Sequence, residues 1–371
     1  MPVAISRLLV ISRWLLAVSR WLLDINTGAR KIKSMTNEPK AKRRRIKALI
    51  AVLLCCLTLC AQERLRFVTY NVENLFDCVD DTLTNDDPFL PDATRHWTPY
   101  RYWNKLHAVG RAIAAIGGDR APDFVALCEV ENDSVMHDLT NRSPLRTVGY
   151  KYLMTSSTDP RGIDVALMYK PTTFRPFAHR SLRLPEANIP EGRHVRDVLL
   201  VSGQLHMGDT LDLFVCHLPS RLNGRQSARL RSDVVDFLCM AIDSVCHERG
   251  VSRIIVMGDC NDTPRSKALR PLTDRQGLVC ITEHLEGSYR YKGKWEQIDH
   301  IYLSPTLVEQ DEESKALHLA HQGAYNFDAD FLTEPEPLYG GRRPYRTYNG
   351  MRYEGGTSDH LPVCFDLGFA W

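Results

Sequence analysis

In this 371-residue chain, the residues best suited to chemistry lie where short apolar runs break off into carboxylates, amides and imidazoles. Phe67-Val68-Thr69-Tyr70 runs into Asn71-Val72-Glu73-Asn74, and Phe124-Val125-Ala126-Leu127-Cys128 runs into Glu129, with Glu131 just beyond. Phe214-Val215-Cys216 ends in His217, and Ile254-Ile255-Val256-Met257 ends in Gly258-Asp259-Cys260-Asn261-Asp262. Gln297-Ile298-Asp299-His300 and Thr357-Ser358-Asp359-His360 complete the set. A carboxylate beside buried strand residues is costly unless it is paired or coordinated. A single such end is ordinarily a capping or turn residue, but convergence on one pocket explains six of them more simply. Oxygen donors without a thiolate cluster suit Mg2+ or Mn2+ and not structural zinc.

Taken in order, Asn71-Val72-Glu73-Asn74-Leu75-Phe76, Leu127-Cys128-Glu129, His217, Gly258-Asp259-Cys260-Asn261, Asp299 and Ser358-Asp359-His360 resemble the successive signatures of the endonuclease/exonuclease/phosphatase superfamily. The resemblance spans about residues 64–368. It implies a four-layered α/β sandwich, in which two mostly antiparallel sheets pack face to face and are flanked by helices, with the active site at one end of the sheets. It also implies a divalent ion, Mg2+ or Mn2+, held by Glu129 with Asn71 close by, and Asp359 beside the terminal histidine is grouped with them. Asp259 and Asn261 then lie on the substrate side, His217 contacts phosphate, and His360 pairs with Asp299 for proton transfer. A histidine beside a carboxylate suits that work, because its ordinary pKa lies near neutrality and the carboxylate fixes its tautomer. Whether Asp259 or His360 is the formal base stays open. Glu73 either joins the metal shell or is a turn residue. Two departures stand out: Cys260 separates the aspartate from the asparagine, and Asp164 sits in a strand that is wholly apolar in many relatives. Asp164 is assigned no role.

These groups need elements to hold them. Apolar runs predict strands at Leu65–Tyr70, Phe124–Leu127, Val165–Tyr169, Val195–Ser202, Asp212–Cys216, Arg253–Met257, Glu296–Leu303 and Pro362–Leu367. Helical spacing predicts helices over Arg101–Ile116, stopped by Gly117-Gly118, and Gly224–Arg249. Residues 304–357 break the rhythm and read as a long loop ending at the Asp359-His360 pair, a position that borders the site. Arginine's planar fork suits phosphate, which makes Arg221, Arg225, Arg346 and Arg352 candidate substrate contacts. Tyr345, Tyr348 and Tyr353 interleave with the loop arginines as a stacking surface would; a solvated loop with packing tyrosines is the alternative.

The chain carries 47 basic and 45 acidic residues, but the first 62 residues hold 12 of the former and 2 of the latter. The remaining 35 and 43 give residues 63–371 a charge of −8, which disfavours a protein built to grip a polyanion with a broad basic face. Lys40–Lys47 is basic and Ala48–Leu59 is a twelve-residue apolar run ahead of Cys60-Ala61-Gln62. That run is short for a membrane span and matches a secretory signal over residues 35–62; a membrane-proximal anchor and a lipid-modified Cys60 are the alternatives. Residues 1–34 read as a spurious or unstructured extension, and residues 63–371 as the catalytic domain. Eight scattered cysteines follow residue 62, without the spacing of a disulfide-stapled module or a zinc site.

The expected protein is thus exported, periplasmic or extracellular, monomeric, and free of a membrane span once the signal is removed, with no protein partner evident. Its expected activity is metal-dependent phosphoester hydrolysis, of the nuclease-like phosphodiesterase kind on DNA or RNA. A phosphomonoesterase, a lipid or inositol-phosphate phosphoesterase, and a non-catalytic phosphate-ligand binder of the same fold are the alternatives.

Overall fold

The computed structural model describes residues 64–222, 224–250, 253–309, 317–320 and 322–369. The extension over residues 1–34 and the signal-like segment over 35–62 lie outside the described residues. Gln62–Trp371 forms one compact unit.

Short apolar runs build two large sheets. The chain lays down β1 (Arg64–Leu75), β2 (Phe124–Val130), β3 (Lys151–Met154) and β4 (Asp164–Tyr169) in the first. The second begins with β5 (Phe174–Leu182), β6 (Val198–Leu205), β7 (Thr210–His217), β8 (Ile254–Asp259) and β9 (Val279–Cys280). A hairpin of β10 (Tyr289–Tyr291) and β11 (Lys294–Glu296) leads into β12 (Asp299–Leu303), which returns to the second sheet. Next come β13 (Leu317–Leu319) and β14 (Tyr325–Asn326) on the first sheet, then the hairpins β15 (Thr333–Pro335)–β16 (Arg342–Pro344) and β17 (Tyr348–Asn349)–β18 (Arg352–Tyr353). The last strand, β19 (Val363–Phe369), closes back on β1.

The strand orders are β13-β19-β1-β2-β4-β3, with β14 also on β19, and β5-β6-β7-β8-β12-β9. All pairings in these two sheets are antiparallel except β1 with β2 and β7 with β8. Those two parallel pairs lie at the sheet centres, so the carboxyl ends of four strands emerge in two adjacent couples. Ends of parallel strands are where α/β proteins place ligands.

Three apolar clusters fill the spaces between four layers, as the resemblance implied. Phe67, Phe124, Val165, Leu199, Val215, Met257 and Phe365 pack between the two sheets. Helix α1 (Pro99–Gly117) buries Leu106, Val109, Ile113 and Ile116 on the outer face of the first sheet together with α2 (Asp133–Asn141). On the outer face of the second sheet, α3 (Arg225–Arg249) buries Leu230, Val234, Val235, Leu238, Ile242 and Val245, beside the short α4 (Arg270–Asp274). Both long helices show the apolar stripe that such docking needs.

The structure adds β3, β9, β10, α2 and α4, which no predicted range covers, and departs from expectation elsewhere as well. Glu296–Leu303 is split, because Gln297 and Ile298 lie between β11 and β12. β5 was not anticipated: it is an edge strand with mostly exposed side chains and a proline, so it lacks an inward-outward alternation. Residues 304–357 are not a structureless loop, since two strands of the first sheet and two hairpins fall within them. Strands of two or three residues are too short to register as a period.

Candidate active site

The four central strand ends and β12 open into one cleft of about 1120 Å³, lined by Asn71, Glu129, His217, Asp259, Asn261 and His360. Local backbone geometry aims these groups. The β1–β2 ladder loses register between Asn71 and Leu75, and the β2–β4 ladder between Cys128 and Val130. Glu73, Asn74, Glu129 and Asn261 adopt left-handed φ values of 51°, 50°, 66° and 50°. Such backbone is uncommon outside glycine, costs on the order of 1 kcal/mol, and is a feature of functional sites. Gly258 serves the opposite need. A Cβ at this position would lie 1.8 Å from the Cys216 carbonyl oxygen, so only glycine lets β8 run close enough to β7 to set Asp259 beside His217.

Asp259 is the hub. Its Oδ2 accepts from Asn71 Nδ2 at 3.0 Å, and its Oδ1 accepts from the Asn261 amide at 2.9 Å. His217 Nε2 lies 3.5 Å from Oδ2, and His360 Nε2 lies 3.9 Å from it. Burial, and then the neighbouring Asp299 charge, push the Asp259 carboxyl up to about 7. On its other side His360 Nδ1 is 2.7 Å from Asp299 Oδ2, which also accepts from Ser288 Oγ at 2.5 Å. Burial opposes a charged imidazole at His360, but hydrogen-bonded Asp299 outweighs it and holds the pKa well above the ordinary histidine value. His217 goes the other way: burial, then Arg196 and Arg161, hold it well below that value, and it stays neutral. The Ser358 hydroxyl fixes the segment bearing His360 by donating to the Asn71 carbonyl at 2.6 Å and accepting from the His360 amide at 3.1 Å.

Glu129 has one oxygen anchored by the Asn74 amide at 2.8 Å. Near the other, Oε1, lie Arg161 at 4.0 Å and His217 at 3.9 Å. Asp299 Oδ1 is buried with no hydrogen-bond partner among the described residues. Asp259, Asp299 and His360 each offer a donor atom within 4.8 Å of the others. The donor set is mainly oxygen, and carboxylate is in excess, so the residues present fit a hard divalent cation.

The arginines divide. Arg346 lines the cleft, donates to Asp359 Oδ2 at 2.9 Å and lies 3.6 Å from Glu73, so Asp359 is turned towards a guanidinium. Arg221 lines the rim and pairs with Glu296. Arg225 is exposed at the start of α3, and Arg352 is exposed and paired with Glu354; neither is among the residues lining the cleft.

Sequence reasoning passed over four contributors. Arg161 reaches Glu129 from the loop before β4. Arg196 donates to Asp159 at 2.8 Å and to the carbonyls of His217 and Leu218, each at 3.1 Å. Ser288 stands behind Asp299. Lys105, buried on α1, donates to Thr347 Oγ1 and to the Thr357 carbonyl, while the Thr347 amide donates to Glu73 at 2.7 Å. Burial lowers Lys105 to about 8, and burial followed by the Asp359 charge raises Glu73 to about 7. Arg161-Gly162 ahead of an apolar run was the one visible signal; an arginine before a strand is less telling than an acid after one. Asp164 is structural: it accepts from Thr155 Oγ1 at 2.6 Å and the Ser157 amide at 2.9 Å.

Comparison with solved structures gives the same fold. An endonuclease/exonuclease/phosphatase family protein from Bacteroides thetaiotaomicron superposes with a TM-score of 0.55 at 14% identity, covering 83% of this chain and 99% of that one. A mannosyl-6-phosphatase from the same organism gives 0.53 at 15% identity, covering 82% and 100%. The human Nocturnin catalytic domain with bound sulfate gives 0.51 at 16%, covering 82% and 94%. No curated protein sequence matches the chain. At the sequence level, residues 66–368 match the Endonuclease/Exonuclease/phosphatase family as a whole, and on that match the chain belongs to this family.

Proposed function

We propose that the protein is an exported, divalent-metal-dependent phosphoesterase of the nuclease-like phosphodiesterase kind. The convergence of Glu129, Asp259, Asn261, His217 and the Asp299–His360 pair on one cleft carries this reading. Glu129 and Asn71 would hold the cation, which supplies Lewis-acid stabilisation of charge on the phosphoryl oxygens. Glu129 is preferred to the Asp259, Asp299 and His360 trio because His360 and Asp299 already hold each other at 2.7 Å.

The remaining work falls to the chain. Asp259, anchored through both oxygens, orients the attacking water and takes its proton. His360, held by Asp299, presents Nε2 as a charged donor to the phosphoryl oxygens, which gain negative charge in the transition state. Asn261 and His217 fix the phosphate, and Arg161 and Arg346 add charge from the walls. The cleft is far larger than one phosphate, and Tyr289, Tyr291, Tyr348 and Arg221 border it. These features support a polymeric or otherwise extended phosphodiester.

A panel of single- and double-stranded DNA, RNA, inositol phosphates, sphingomyelin and simple phosphomonoesters, run with chelator and with Mg2+ or Mn2+ restored, tests the proposal. Metal-dependent cleavage of nucleic acid is expected. Release of phosphate from small esters without nucleic-acid cleavage would make it a phosphomonoesterase, and binding without turnover would make it a phosphate-ligand receptor. Export is tested by the fraction in which the full-length protein accumulates.

A further inference from the structure

Resting on the phosphodiesterase reading above, we infer that Arg95 is a second phosphate subsite of the cleft, which takes a phosphate of the substrate next to the scissile one. Arg95 lies in the connection between β1 and α1 and lines the cleft with Phe89, Tyr348 and Gly350. Its guanidinium carbon stands over two rings, 4.9 Å from the centroid of Phe89 and 4.8 Å from that of Tyr348. One guanidinium nitrogen donates to the Gly350 carbonyl at 3.2 Å. The backbone is pinned as well, since the Arg95 carbonyl accepts from the Tyr348 hydroxyl at 2.9 Å and from Arg101 at 2.5 Å. His96, the next residue, adopts a left-handed φ of 46°, a conformation that is costly outside glycine. Trp97 is fully buried, donates Nε1 to the Phe76 carbonyl at 3.0 Å and packs on both rings at 6.0 Å.

This support holds a charge that the protein leaves unanswered. Arg161, Arg196, Arg221 and Arg346 also line the cleft, and each meets a carboxylate. Arg95 has no carboxylate partner among the described residues, and only one of its five N–H donors is taken there. Cation–π attraction keeps the group in place, and the remaining donors form the fork that suits two oxygens of one phosphate. Its ordering cost is already met in folding, so less freedom is lost when an anion docks. Because Tyr348 gives its ring to Arg95, this wall suits the backbone of a substrate and not a stacked base. Arg346, two residues before Tyr348, bonds to Asp359 beside His360, so one short segment links Arg95 to the catalytic groups.

Three substrates separate the sources of the second phosphate: a thymidine dinucleotide with only its internal phosphate, the same dinucleotide with a terminal phosphate, and a thymidine trinucleotide. With the full-length chain and Mg2+, kcat/KM is expected to be about tenfold higher for one or both two-phosphate compounds than for the first. A gain for the terminally phosphorylated dinucleotide alone identifies the ligand as a strand end, and a gain for the trinucleotide identifies it as an internal phosphodiester. Arg95→Met, which keeps an apolar stem on the rings, is expected to remove the preference while cleavage of the one-phosphate dinucleotide stays within about twofold. Equilibrium binding of the three compounds in Mg2+ to the chain carrying Asp259→Asn, with and without Arg95→Met, reads the same contrast without turnover. Arg95→Gln decides if Arg95→Met fails to fold. Equal affinity for one- and two-phosphate compounds with Arg95 in place, or an equal loss on all three when it is replaced, overturns the subsite. A binding contrast without cleavage of any of the three upholds the subsite and overturns the phosphodiesterase reading.

Discussion

Replacing Asp299 by asparagine probes the proposed chemistry at its most defined contact. The two side chains have nearly the same shape, so the buried site, with Asp299 fully enclosed, keeps its packing while losing one charge. Asp299 Oδ2 takes hydrogen bonds from His360 Nδ1 at 2.7 Å and Ser288 Oγ at 2.5 Å. Both bonds end on one oxygen, and an asparagine oxygen in its place can accept both, but it cannot hold His360 in its charged form. A charge-assisted hydrogen bond contributes about 1.5–3 kcal/mol, and a proton-transferring or charged donor group is worth about 10²–10⁴ in rate. The expected outcome is a fall in kcat of about 10²–10³, or roughly 3–4 kcal/mol, with KM changed less than about threefold, because the phosphate is also held by other residues. Ser288→Ala removes a neutral donor from the same oxygen and should cost about fivefold, the equivalent of about 1 kcal/mol. Steady-state kinetics on a chromogenic phosphodiester, with melting curves to confirm folding, measures both. An Asp299→Asn enzyme within about fivefold of the parent, or a Ser288→Ala enzyme more damaged than it, would refute the assignment of His360.

Other expectations follow from the same geometry. Glu129→Gly and Glu129→Ala should both lose metal-stimulated turnover by about 10³, yet the glycine variant should be the more stable by about 1 kcal/mol in denaturant titration, because φ at this position is 66°. Arg161→Ala should raise KM about tenfold, whereas Arg225→Ala and Arg352→Ala, away from the cleft, should stay within about twofold. Lys105→Met removes the bonds to Thr347 and Thr357 and a buried positive charge that acts on Glu73, and should destabilise the fold by about 3 kcal/mol at pH 8. Glu73 is pushed up to about 7, so its neutral form is favoured in the folded state; that contribution is full below its ordinary pKa and lost as pH rises through 7. The Lys105→Met deficit should therefore shrink in urea titrations at pH 5.5.

What could be read from the sequence was set by how local each signal is. Strand ends such as those at Asn71, Glu129, His217 and Asp259 announce themselves because an apolar run and a polar terminus are neighbours in the chain. Their order then identified the fold, down to the sheets on either side of the Phe67–Phe124–Phe365 layer. The second layer of the site left no such mark. Lys105 sits mid-helix among apolar residues, and Ser288 lies 11 residues before the aspartate it supports; their partners are chosen by folding. Arg225 and Arg352 show the converse: proximity in sequence to His217 and His360 did not bring them to the cleft, because a helix start and a hairpin turn them outward. The short strands within residues 304–357 were hidden for the same reason, being made by the strands they join.

The pairing of β1 with β19, from Arg64 opposite Gly368 to Thr69 opposite Val363, sets a timetable as well as a shape. Among the described strands the one that carries Asn71 comes first in the chain and its antiparallel neighbour last, while the peptide preceding that neighbour supplies His360. A chain in which these two strands have not paired therefore has no assembled cleft. Docking of β19 on β1 is therefore the step on which the cleft depends, and a chain lacking it has its cleft residues on separate segments.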